Sequence, residues 1–202
     1  LTVALLSTLS LFLSESGASM TRRAIADVPI DWQIEAVPAA DHKTLVDAIR
    51  KAAPIKVVHQ VEYAQVDGFE ARTSDTTQQT GPGKVIAFDK DYAIDFPQEL
   101  RWLAGKRGGV LIAQQTAANL HVGPGDKVSI ARVGLPPVEV VVDGVVDLPD
   151  ADALFQGVGL PAQAAPQAPP DNVIILPMAE WHGAFDPQQV KRPDTTRTQF
   201  HV

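Results

Sequence analysis

The first fourteen residues, Leu1 to Ser14, hold no charge and are mostly aliphatic, so whatever this chain folds into has to accommodate that run. Leucines mixed with small hydroxyl residues favour a helix. Fourteen residues rising about 1.5 Å each reach about 21 Å, short of the roughly 30 Å hydrocarbon layer of a bilayer. Three structures compete for such a run. A secretory signal has an apolar segment of this size, but its cationic flank is missing and Ser14-Glu15-Ser16-Gly17-Ala18-Ser19 is only a loose cleavage match. A buried core helix needs a polar face, for which Leu5, Leu6, Leu9, Phe12 and Leu13 leave little room before Glu15. The third structure is the outer end of a transmembrane helix. Helical spacing continues through Met20, Ala24 and Ile25 until Pro29 forbids it, so residues 1–27 are expected to be the end of a membrane helix running on as a stalk.

The chain has no cysteine, which excludes disulfides, thiol catalysis, Cys-ligated zinc and iron–sulfur clusters. Its formal charge is −7, and its basic residues are scattered, with no run longer than Arg22-Arg23 or Lys106-Arg107. Nucleic-acid binding needs a concentrated cationic face, so no nucleic-acid partner is expected.

Past Pro29 the pattern reads β-α-β. Ile30 to Val37 alternates apolar with polar, as a half-buried strand does. Asp41 is a good N-cap for a helix whose stripe is Leu45, Val46, Ile49 and Ala53, closed by Pro54. Ile55 to Asp67 alternates again, with Val57, His59, Val61, Tyr63 and Gln65 on one face and Val58 and Ala64 on the other. Gly68 then allows a hairpin turn into Phe69 to Arg72. Ser74 to Gly83 reads as a polar loop and Lys84 to Phe88 as a strand. Gly108 to Ala113 followed by Gln114 to Leu120 reads as strand and short helix, and the turn Val122 to Asp126 feeds a strand Lys127 to Val133. Gly134-Leu135-Pro136-Pro137 reverses direction, and Val138 to Asp147 is expected to pair back as a strand. Asn172 to Leu176 is a strand, Pro177 opens a short helix at its first position, and Arg197 to Val202 is a last strand.

Residues with catalytic or ligating chemistry are present but dispersed. His42, His59, His121, His182 and His201 have no zinc spacing, and each reads as a solvated or core histidine. Asp89-Lys90-Asp91 with Asp95 has a faint calcium-loop look without the glycine and closing glutamate of an EF-hand. Gly81-Pro82-Gly83-Lys84 lacks the frame, the hydroxyl residue and the helix of a phosphate loop, and reads as a turn before a strand. Asp143, Asp147, Asp150 and Asp152 would need a cleft to act as paired carboxylates, and read as an acidic loop edge. Trp32, Trp102 and Trp181 read as core anchors or as walls of a ligand groove. No catalytic residue, cofactor-binding residue or metal ligand is assigned, and no cofactor is expected.

Four segments together resemble the extracytoplasmic domain of ABC-transporter permease subunits of the MacB-like and FtsX-like type. The apolar run entering Gly17-Ala18-Ser19-Met20-Thr21-Arg22-Arg23 is similar to the end of that family's first membrane helix. Gly109 to Ile130 is similar to its strand, short helix and "G-D" turn, here Gly125-Asp126. Val141-Val142-Asp143-Gly144-Val145-Val146 is similar to its "V-V-G-I-V" strand, with Asp143 standing where an apolar residue is usual. Asn172-Val173-Ile174-Ile175-Leu176-Pro177-Met178 is similar to its "v-y-v-p" strand and helix start.

The resemblance implies an α+β, two-lobed extracytoplasmic domain following the outer end of a transmembrane or stalk helix, in the cell membrane. The order of the elements themselves divides the domain into a β-α-β lobe, 28–104 with 172–202, a β-rich inserted lobe with its own apolar strands, 105–160, and a Pro-rich loop, 161–171. The resemblance implies no enzyme activity of its own, with ATP hydrolysis in a separate ATPase subunit or domain, and motion of the membrane helices coupled to export or mechanical signalling. The implied partners are a cytoplasmic ABC ATPase subunit, a second permease subunit or permease half, an extracytoplasmic partner protein and the membrane. Two alternatives belong to other classes. Leu120 to Val128 is similar to the "G-x-G-D-x-V" element of double-psi β-barrel binding modules, and the signal-peptide reading would fit a secreted hydrolase. For an extracytoplasmic domain to sit on a membrane bundle its exit must lie near its entrance, so the strand at Arg197 to Val202 should lie beside the strand at Ile30 to Val37.

Overall fold

The spine of the molecule is a strand of fourteen residues, β2 (His59–Arg72), which is long enough to serve two sets of neighbours. The computed structural model describes residues 30, 32–37, 40–72, 76–149, 152–155, 157–159 and 170–202. The expected membrane helix and stalk at 1–27, the stretch 161–169 of the Pro-rich loop, and Asp150 lie outside the described residues. Leu1–Asp31 and Trp32–Val202 form separate units, and the elements named below all belong to the second. Among the described residues no helix is long and apolar enough to cross a membrane.

In chain order the elements are β1 (Gln33–Ala36), α1 (His42–Ala52), β2, β3 (Thr77–Gln79), β4 (Gly83–Phe88), α2 (Tyr92–Asp95), β5 (Arg101–Gly105), β6 (Leu111–Ala113), α3 (Gln114–Leu120), β7 (Lys127–Arg132), β8 (Val138–Val141), β9 (Gly144–Asp147), α4 (Asp152–Phe155), β10 (Val173–Pro177), α5 (Met178–Lys191) and β11 (Thr196–His201). The strands form one sheet in the order β1-β11-β2-β4-β10-β6-β9-β5, with β3 and β7 on β2 and β8 on β7. Two pairs, β10 with β4 and β6 with β9, are parallel, and the other pairings are antiparallel. The fold class is therefore α+β, as expected.

Pairing on both sides of β2 explains its burial. Val61 to Val66 sit between β11 and β4, and all but Gln65 are buried. One face of this stretch, through Ala64, Val66, Val85 and Ala87, packs under α5 with Trp181 and Phe185 and joins a core that includes Ala117 and Leu120 of α3. Small side chains at Ala64 and Ala87 leave room for the indole, whose Nε1 donates to the Val85 carbonyl at 3.4 Å. The opposite face carries Val61, Tyr63 and Ile86, and there Tyr63 donates its hydroxyl proton to the Leu154 carbonyl of α4 at 2.7 Å. Sequence and structure agree closely at α1. Asp41 accepts from the Lys43 amide at 3.2 Å, while Arg50 and Lys51 sit in the last turn where the helix dipole favours cations.

Four local expectations are corrected. Gly68 is not a hairpin turn: β2 runs through it with a register shift between Val66 and Gly68 against β7. A side chain there would collide with the Thr80 carbonyl, 2.6 Å from where its Cβ would lie, so glycine answers to close backbone approach. The expected loop from Ser74 to Gly83 contains β3, which pairs with the end of β2. The run Val138 to Asp147 is two strands, because β8 pairs with β7 whereas β9 moves across to lie between β6 and β5. Pro177 ends β10 and caps α5, which runs for fourteen residues with Pro187 inside it, longer than the short helix expected.

Candidate functional site: the paired terminal strands and the polar cluster beside them

The first and last strands of the unit lie side by side. β1 pairs antiparallel with β11 in the register Gln33 with His201 through Ala36 with Thr198. Beyond it, Trp32 and Val202 exchange backbone hydrogen bonds, 3.2 Å from the Trp32 amide and 3.0 Å from the Val202 amide. This meets the expectation that the strand at Arg197 to Val202 returns beside that at Ile30 to Val37. Trp32 itself is about half exposed, Trp102 is partly buried, and only Trp181 is a fully buried anchor.

Next to these strands, elements distant in sequence bring together a polar cluster of buried rings and exposed carboxylates. His59 opens β2 opposite His201 of β11. Its Nδ1 meets the Asp89 carboxylate at 3.0 Å and its Nε2 meets Asp95 at 2.7 Å, while Tyr92 and Phe96 present ring edges to it. Of Asp89-Lys90-Asp91 and Asp95, the two carboxylates of Asp89 and Asp95 thus clamp His59. Asp89 also accepts from the Asp91 and Tyr92 amides, which shapes the turn entering α2.

His201 is bonded differently. Its Nδ1 lies 2.8 Å from the Tyr92 hydroxyl, and its Nε2 lies 3.3 Å from both the Tyr63 hydroxyl and Gln199 Oε1. Because Tyr63 gives its proton to Leu154, this network is satisfied by a neutral ring that accepts at Nδ1 and donates at Nε2. Burial, then the charges of His59 and Arg197, push His201 down to about 3. Burial likewise pushes the Tyr63 and Tyr92 phenols well above their ordinary value.

The remaining nominated residues do not converge on this cluster. His182 faces Asp186 one turn away at 2.8 Å, and His121 takes the left-handed conformation that ends α3. Gly81-Pro82-Gly83-Lys84 is a turn into β4. Asp147 pairs across the sheet with Arg101 at 2.5 Å. Asp143 answers the departure noted in sequence: its carboxylate accepts from the Val110 amide at 3.0 Å and from Lys106 Nζ at 2.9 Å, which tethers the loop between β5 and β6. Gly109, with φ of 79°, lets that loop pass against the carboxylate. Among the described residues no three ligating side chains converge as a metal site would require.

The His59 clamp was missed in sequence, since its partners lie 30 and 36 residues away. The alternating acids of Asp89-Lys90-Asp91 were its only signal.

No protein-family model and no curated protein matches the chain. Among solved structures, the periplasmic region of MacB from Actinobacillus actinomycetemcomitans is similar to it at a TM-score of 0.46 and 10% identity, over 84% of this chain and 72% of that one.

Proposed function

We propose that the chain is the extracytoplasmic domain of an ABC-transporter permease subunit of the MacB-like or FtsX-like type. In this reading it lies outside the cell membrane, catalyses nothing itself, and relays motion of membrane helices driven by a cytoplasmic ABC ATPase, acting with a second permease subunit or half and an extracytoplasmic partner protein. The order and spacing of the four sequence segments that resemble that family support this reading.

The observation that carries the proposal is the reciprocal pairing of Trp32 with Val202. A domain held between two neighbouring membrane helices needs its inlet and outlet side by side, and β1 and β11 provide that within one sheet. A packed sheet has little compressibility, so displacement at the terminal strands reaches the rest of the unit as rigid-body motion. Residues 1–27 would be the lever. Inserting two glycines beside Gly17 in the full-length transporter is expected to leave expression and folding intact while abolishing ATP-coupled export or signalling. Unchanged output would refute transmission through that helix.

A further inference from the structure

A feature independent of that reading lies on the sheet face turned away from α5. Cross-strand partners share a face, and the register places Phe88 of β4, Ile175 of β10, Leu111 of β6 and Trp102 of β5 on the same face as Tyr63 and Ile86. Their neighbours on the other face, Val85, Ala87, Ile112 and Ile174, belong to the core beneath α5. Phe88, Ile175, Leu111 and Trp102 bound a cavity of about 340 Å³, which Ala93 of α2 and Met178 also line.

The walls of this cavity are held in place by the fold itself. Phe88 stacks on Tyr92 with ring centres 4.4 Å apart, and Ile175 and Leu111 are buried partners in the sheet. The loop from β5 to β6, whose Gly108 and Gly109 also border the cavity, is tethered by Asp143. Phe88, Trp102 and Met178 are nevertheless only partly buried, so water still reaches apolar surface here, and covering it is favourable. Three charged residues, Asp89, Lys90 and Arg107, border the cavity and are exposed, which puts them at its mouth. They carry both signs, and the Asp89 carboxylate faces His59, so selection falls to the apolar walls rather than to a net charge. Pockets for small molecules run from roughly 300 Å³ upward, and an apolar cavity of roughly 150 Å³ already takes up a benzene, so the space here suits a body of two or three rings.

We propose that this cavity binds an uncharged, apolar small molecule, its body packed against Trp102, Phe88 and Leu111 and any polar end at the mouth. The site is formed before the ligand arrives, because sheet pairing, the Phe88 stack and the Asp143 tether hold its walls.

The test is a fluorescence titration of the intact chain with the uncharged probe N-phenyl-1-naphthylamine, excited directly so that tryptophan variants are read on the same scale. Saturable one-to-one binding is expected, with a urea midpoint that rises with probe concentration because the probe binds the folded state. Trp102→Ala strips one wall and Ala93→Phe occupies the space from α2, and each should weaken binding about tenfold or more. Trp32→Phe, outside the cavity, should leave binding unchanged. Ala93→Phe judges the site even if Trp102→Ala fails to fold. The probe's sulfonated analogue, 1-anilinonaphthalene-8-sulfonate, should bind no more tightly than the uncharged compound. Emission that climbs without saturating, affinity that survives unchanged in Ala93→Phe, or tighter binding of the sulfonate would overturn the proposal.

Discussion

Acid should destabilise this domain through His201, and the size of the effect follows from its surroundings. The ring is buried between β2 and α2, and its hydrogen bonds suit the neutral form. In the unfolded chain a histidine titrates near 6.5, whereas here it stays neutral down to about 3. Between those values the unfolded state binds a proton that the folded state refuses, so stability is fully present above about 6.5 and falls as pH drops toward 3. Each pH unit within that window removes up to about 1.4 kcal/mol, so going from about pH 7.5 to about 4.5 should remove about 3 kcal/mol from this group. That is a large share of the roughly 5–15 kcal/mol that holds an ordinary domain together. Urea unfolding, followed by tryptophan fluorescence at a series of pH values, measures the slope for the parent and for His201→Gln. The glutamine keeps hydrogen-bonding groups near Tyr92 and Tyr63 but cannot titrate, so the variant should be less stable at neutral pH and distinctly less sensitive to acid. Equal slopes in the two proteins would refute the assignment of a buried neutral histidine.

Three further outcomes test other parts of the structure. Trp181→Ala removes a fully buried indole from beneath α5 and should cost about 3–5 kcal/mol, read as a fall in the urea midpoint. Gly109→Ala places a methyl group against the Asp143 carboxylate at a left-handed φ, and should destabilise the domain by about 1–3 kcal/mol, whereas Gly108→Ala next to it, in open space, should be nearly neutral by the same measurement. Val190 is highly exposed on α5 and the chain has no cysteine, so Val190→Cys gives a single labelling site within it. In intact cells a membrane-impermeant maleimide should label that cysteine, and protection until the cells are lysed would refute an extracytoplasmic location.

Much of the fold could be read from local chemistry. Asp41, Pro54 and the Leu45-Val46-Ile49 stripe identified α1 because capping and periodicity act within a few residues. β1 and β11 were legible from alternation, and their pairing followed from an argument about how a membrane-held domain must connect. What escaped were features set by distant neighbours. Gly68 carries the same signal whether it turns a chain or admits a carbonyl into a bulge, and only the position of Thr80 decides. The apolar continuity of Val138 to Asp147 hid a change of partner at Val142 and Asp143, where the first strand leaves β7 and the second joins β6 and β5. β5 escaped because most of its residues are exposed at the rim of the sheet, so little alternation marks them. His59 appeared as a lone histidine because its clamp comes from another part of the sequence.

The central claim is that this domain belongs to a membrane permease driven by a separate ATPase. It is tested most directly by isolating the native full-length protein in mild detergent and identifying what accompanies it by quantitative mass spectrometry. The protein should be found in the membrane fraction and carry an ABC ATPase in stoichiometric amount, released when the membrane portion is denatured. Recovery of the native protein in soluble form, free of any ATPase, would contradict it.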